Sequence, residues 1–256
     1  MDIHFKCTQC GKCCQDLRLP LTITEARRWF AAGRDLQLLC EATPWPTEPA
    51  PDNLQALHWR RRSFAGMNGM LPARVTVILT ANLAGRCPEL QADMRCGIYE
   101  HRPYICRIYP AEVNPFRRLD IKAKLCPPEA WDPKNPLFQT GGATLPDPDL
   151  QDAILRSREA DFVDAPVKQR LSAALGLDRA AVSGEGFVMY SPDRNELAQA
   201  FERADESAGD DQQPPRWRFV SKRPRTLAAL ETVGGICEAP QMSAGRPYDY
   251  LDLGGT

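Results

Sequence analysis

The stretch Cys7-Thr8-Gln9-Cys10-Gly11-Lys12-Cys13-Cys14 puts four cysteines into eight positions. Two residues between successive cysteines let a loop fold back, so that its sulfurs point at one centre. Gly11 relieves the backbone where the loop must turn. Zinc and iron–sulfur clusters both use this spacing. Core packing explains so dense a group poorly, so Cys7, Cys10, Cys13 and Cys14 are expected to ligate metal.

Working outward, Cys87, Cys96, Cys106 and Cys126 come next in the argument. Singly, each could pack as a small hydrophobe. Together they supply ligands that a short loop lacks. Neighbours such as Cys13 and Cys14 tend to point apart, so both on one zinc would be strained. One of them is expected to bind a second metal or to stay uncoordinated. Eight sulfurs could fill two four-ligand zinc sites, or one cubane with the remainder on another metal or free. The run C-x2-C-x2-C with a remote Cys-Pro is also the pattern of bacterial ferredoxins. Cys87-Pro88 and Cys126-Pro127 both have that form. Zinc would accept the same thiolates, and Cys14 is extra to the ferredoxin pattern. The reading prefers an iron–sulfur cluster over zinc.

A third block, Cys96-Gly97-Ile98-Tyr99-Glu100-His101-Arg102-Pro103-Tyr104-Ile105-Cys106-Arg107-Ile108-Tyr109-Pro110, sets two cysteines around a basic, aromatic core. Arg102 and Arg107 can donate hydrogen bonds to thiolate sulfur or to an anionic substrate. Pairing with surface carboxylates is the equal alternative. His101 reads as a solvent-facing or capping histidine, and His4 and His58 lack ligand-like spacing.

Three separated blocks carry a resemblance. They are Phe5-x-Cys7-x2-Cys10-Gly11-x-Cys13-Cys14, then Cys87-Pro88-x-Leu90, then Cys96-x-Ile98-Tyr99-x2-Arg102-Pro103-x2-Cys106-Arg107-x-Tyr109-Pro110. In this order they resemble the YkgJ-type cysteine-cluster family, to which zinc or iron chelation is ascribed. The resemblance covers about residues 3–128 and implies metal binding by the eight shared cysteines. It implies no reaction. A flagellin lysine-N-methylase in the same broad family makes a metal-dependent protein-lysine N-methylase the alternative to a chelating module. An ordinary methyltransferase would show a glycine-rich loop after a first strand, and none is apparent here. Whether the chain is an enzyme stays open.

The bulk properties fit. The chain has 256 residues, 43% hydrophobic and 25% charged, with a formal net charge of -1. Nothing global calls for nucleic acid or a membrane surface as partner. No apolar run approaches the roughly 20 residues of a membrane span, and MDIHFKCTQC lacks the features of a secretory signal. The expected location is the cytoplasm, where clustered cysteines bind metal or do redox work more often than they form disulfides. The expected partners are a metal ion and a protein partner or substrate. From His58 to Cys126 there are 12 Lys/Arg against 5 Asp/Glu, and from Asp147 to Asp211 there are 7 against 15. Two complementary solvated faces are the simpler account. A basic part that offsets cluster charge is the sharper one.

The expected fold is α+β: an irregular metal-centred cysteine-rich domain over residues 1–128 with short helices and strands, a proline-rich linker over 129–148, and a mainly helical region over 149–256. Thr22 and Glu25 have capping-box spacing before a helix that reaches Gly33. Val75 to Thr80 reads as a buried strand, and Leu119 to Lys124 reads as a strand. Asp149 to Val163 and Asp193 to Ala204 read as helices, Gly186 to Tyr190 and Arg216 to Val220 as strands, and 205–215 as an acidic loop. Cys40 is expected in the core and Cys237 to be incidental.

Overall fold

A computed structural model describes residues 2–83, 85–141, 145–206, 213–240 and 248–254. In chain order the elements begin with β1 (Ile3–His4), β2 (Leu17–Leu21), α1 (Ile23–Ala31), β3 (Leu36–Pro44) and α2 (Leu54–Arg61). Next come β4 (Phe64–Asn68), β5 (Leu71–Leu83), α3 (Tyr104–Ile108), β6 (Leu137–Gln139), α4 (Pro148–Val163) and α5 (Ala165–Ala174). The last are β7 (Arg179–Val182), β8 (Gly186–Tyr190), α6 (Arg194–Glu206), β9 (Arg218–Val220), α7 (Pro224–Thr232), β10 (Cys237–Glu238) and β11 (Asp249–Asp252). The fold is α+β, as expected.

The chain divides into two units. One gathers residues 1–25 and 81–160, and the other gathers 26–80 and 161–256. All eight cysteines expected to ligate lie in the first, which is called the cysteine unit below. Cys40 and Cys237 lie in the second, the sheet unit.

The sheet unit is built on the strand order β10-β9-β7-β3-β5. The β10–β9, β9–β7 and β7–β3 pairs are parallel, whereas β8 joins β3 and β11 in antiparallel pairs. Strand β4 forms an antiparallel hairpin with β5, pairing Asn68 with Leu71 across Gly69-Met70. Strands β3 and β5 are buried along most of their length, whereas β4 and β8 alternate buried with more exposed positions. Leu38, Cys40, Val75, Val188 and Phe219 are wholly buried. Polar side chains are buried there as well, among them Asn68, Thr80 and Ser221. Asn68 Nδ2 donates to the Trp217 and Ile236 carbonyls at 2.8 and 2.7 Å, and its Oδ1 accepts from Ile236 N at 2.7 Å. With its groups satisfied in this way, burial costs little.

The cysteine unit has a smaller centre of its own. Ile108, Ala111, Phe138, Leu150, Ala153 and Ile154 pack together. β1 pairs antiparallel with β6, and the Phe5 ring meets Trp131 and Phe138 at 4.7 and 5.2 Å. Hydrogen bonds from Phe5 N to Pro136 O and from Lys6 N to Ala130 O extend that pairing. These contacts anchor the segment that runs into Cys7.

Local readings are met in most places. The capping box is present: Thr22 N donates to Glu25 Oε2 at 3.0 Å, and Glu25 N donates to Thr22 Oγ1 at 3.2 Å. Helix α1 then runs to Ala31, and Gly33 follows at φ +81°. One reading fails. Leu119 to Lys124 is not a strand but contains a 3-10 turn, Ile121–Ala123, because the Asp120 carboxylate accepts from Lys122 N at 3.0 Å and closes the backbone. Residues 207–212 of the expected acidic loop, and Gly142, lie outside the described residues.

Candidate metal centre

The site grows from a loop that only glycine can make. Gly11 adopts φ +70°, and a Cβ there would stand 2.8 Å from Met94 O and 2.9 Å from Leu90 Cδ1. Both the dihedral and the space exclude a side chain. Gly11 O then accepts from Cys14 N at 3.0 Å and starts the 3-10 turn Lys12–Cys14, which carries Cys13 and Cys14. A second loop docks on the first, with Cys87 N donating to Cys14 O at 2.8 Å. From there, Gly97 N donates to Glu89 O at 2.7 Å, and Leu90 bridges to Cys96, so Cys87 and Cys96 flank one tight turn. Asp16 clamps the entry to this loop by accepting from Gly85 N at 2.9 Å.

Cys106 rides on α3. That helix is one turn long, and its start is satisfied from outside: Tyr104 N donates to Glu25 Oε1 at 2.7 Å. One carboxylate therefore caps both α1 and α3. Cys126 follows the 3-10 turn that replaced the expected strand. Leu125 N donates to the Tyr109 hydroxyl at 2.7 Å, which fixes the approach to Cys126.

Electrostatics shows which thiols are neighbours. A hydrogen bond with Cys14 holds the Cys13 thiol down at about 7, with burial opposing and Arg102 assisting. The same bond, aided by burial and by Cys13, Cys87 and Cys106, pushes the Cys14 thiol up. Burial, then Cys13 and Cys87, pushes Cys106 up to about 12, with Cys96 contributing and Arg102 opposing. Burial, then Cys13, pushes Cys126 up to about 11; the Tyr109 hydroxyl opposes, and Cys10 and Cys7 add to the rise. The eight thiols thus fall within mutual influence. Cys13, Cys14, Cys87, Cys96 and Cys106 form one set. Cys126 is linked electrostatically to Cys13, Cys10 and Cys7.

No group of three or more His, Cys, Asp or Glu among the described residues is arranged to hold an ion as it stands. The thiols instead satisfy one another and the tyrosines: Cys14 with Cys13, Cys126 with Tyr109, and Cys7 with Tyr99. Ligation of a metal would require these thiols as thiolates. The donor set itself, eight soft sulfurs on short loops, fits a thiolate-held metal.

Arg102 bonds to backbone carbonyls, with its Nη1 donating to Cys106 O at 3.4 Å. Its Nε donates to Tyr99 O at 2.7 Å, and its guanidinium lies 3.7 Å from the Tyr99 ring centroid. Its charge nevertheless lowers Cys13 and Cys106. Arg107 lies with Cys7, Tyr99 and Arg102 on a cavity of about 290 Å³. Three site features were missed from sequence: Tyr99, Tyr109 and the second role of Glu25. Both tyrosines stood within the quoted third block.

Eight thiols on the loops and short helices of one unit make this a cysteine-rich domain. Residues 6–127 match the model of the CxxCxxCC family, described as "Putative zinc- or iron-chelating domain". No curated protein and no solved structure matches the chain. No described helix is long and apolar enough to cross a membrane.

Proposed function

We propose that residues 1–128 form a chelating module in which Cys7, Cys10, Cys13, Cys14, Cys87, Cys96, Cys106 and Cys126 hold zinc or iron. An iron–sulfur cluster on Cys7, Cys10, Cys13 and Cys126 is the favoured form. The observation that carries it is the placement of Cys126, the thiol before Pro127, which feels Cys13, Cys10 and Cys7 together. That is the tripod and remote Cys-Pro of a ferredoxin. Cys14, Cys87, Cys96 and Cys106 are left as a second four-sulfur set, suited to a closed tetrahedral site. Arg102 offsets negative charge on the thiolates, and Arg107 lines the approach at Cys7. A bound cluster supplies one-electron transfer; the chain supplies the thiolates, the cation and a partly closed cavity. Reduced thiolates of this kind belong in the cytosol, which is the location we assign.

The test is an anaerobic preparation with zinc, iron and acid-labile sulfide measured and the visible spectrum recorded. Iron with stoichiometric sulfide supports the cluster. A colourless protein with two zinc ions removes the cluster and keeps chelation. Cys10→Ser is expected to lose metal and Cys237→Ser to keep it. Equal metal content in both variants would overturn the ligand assignment.

A further inference from the structure

Beside the cysteine unit's core, the 112–119 loop and α4 line an open cavity of about 680 Å³. That volume falls within the range of roughly 300 to 1,000 Å³ typical of small-molecule sites. Its charge is one-sided. Arg117, Arg118 and Arg158 line it, and among the described residues no carboxylate pairs with any of them. The acid in the lining, Glu112, is held by Lys124 Nζ at 2.6 Å, with both side chains largely covered. Arg158 is half-buried, and its Nε donates to Val113 O at 2.6 Å. A carbonyl does not neutralise a guanidinium, so a partly desolvated cation is left without a counter-charge.

The loop is built to present this charge. Asn114 Oδ1 accepts from Phe116 N at 2.9 Å and Asn114 O accepts from Arg117 N at 3.2 Å, so the backbone turns sharply before the two arginines. Apolar surface lies beside them. Ile154 is buried in the wall, while Phe116 and Leu155 are 43% and 63% exposed. Guanidinium forks match carboxylate and phosphate groups, and aromatic and aliphatic walls take the rest of a ligand.

We infer that this cavity binds a small organic anion, with a phosphate or carboxylate group on Arg117, Arg118 and Arg158 and an apolar part against Phe116, Ile154 and Leu155. The site is separate from the thiols and does not depend on which metal they hold.

Calorimetric titration of the full-length, metal-loaded protein tests it with four probes: phenyl phosphate, benzoate, inorganic phosphate and benzyl alcohol. Phenyl phosphate or benzoate is expected to saturate one site, and to bind about tenfold or more tightly than either inorganic phosphate or benzyl alcohol. The better of the two identifies the head group. The pair Arg117→Ala and Arg118→Ala, both at exposed positions, should weaken that binding by about tenfold or more and leave metal content unchanged. Leu155→Ser, on the exposed face of α4, should weaken the aromatic probes and spare inorganic phosphate. Absence of saturable binding by both aromatic anions overturns the inference. So does undiminished binding in the arginine pair, or inorganic phosphate binding as well as phenyl phosphate.

Discussion

In the sheet unit, strands bury Leu38, Val75, Val188 and Phe219 completely, whereas the cysteine unit consists largely of turns. The backbone records the contrast. Gln9, Asp16 and Met94, the non-glycine residues at positive φ among those described, all lie in the cysteine unit. Each such residue costs on the order of 1 kcal/mol, and persists only where the surroundings over-determine it. One unit is held by its own apolar side chains. The other carries its cost in strained turns, and on the proposed reading the metal offsets that cost.

The largest effect expected from this contrast is on metal removal. Structural metal held by thiolates can contribute on the order of 10 kcal/mol. Chelation should therefore erase amide-exchange protection across 87–126 and leave β5 over 71–79 and β8 protected. Equal loss in both regions, or no loss in either, would break the comparison. The next effect lies in the sheet unit. Burial alone pushes the Cys40 thiol up, and its residue is 0% exposed, so it should resist iodoacetamide until the unit unfolds. Cys40→Ser should destabilise by about 1 to 3 kcal/mol, by leaving a hydroxyl in an apolar site. Urea denaturation reads that loss, and metal content should stay at the native value. The smallest effect belongs to Glu25. Glu25→Ala removes the cap shared by α1 and α3 and should cost about 1 to 2 kcal/mol. An unchanged urea midpoint would show that the double cap is not stabilising.

How much of this was legible in the sequence followed the range of the interactions. Readings that depend on near neighbours were met: the Thr22–Glu25 box, the strand Gly186–Tyr190, and the helix near Asp149 to Val163. The misread strand at Leu119 to Lys124 was also local, but it turned on one side chain, Asp120, that a hydrophobicity pattern does not weigh. Of strand β3 only the core position of Cys40 was expected from the sequence, because its partners β7 and β8 lie far along the chain. The cysteines were legible because ligand chemistry restricts residue type. How they divide was not, since the electrostatic link of Cys126 to Cys13, Cys10 and Cys7 runs between loops far apart in the chain. The arginine cavity left little trace in the sequence, where Arg117 and Arg118 are two of the 12 Lys/Arg between His58 and Cys126.

The close approach at Gly11 bears on how this chain can change. Two loops meet there with less clearance than a single methyl group needs. Variation at residue 11 is closed off by geometry alone, whatever ion the neighbouring sulfurs accept. Positions 90 and 94 are tied to it in turn, so drift in one loop can survive only when the other drifts in step.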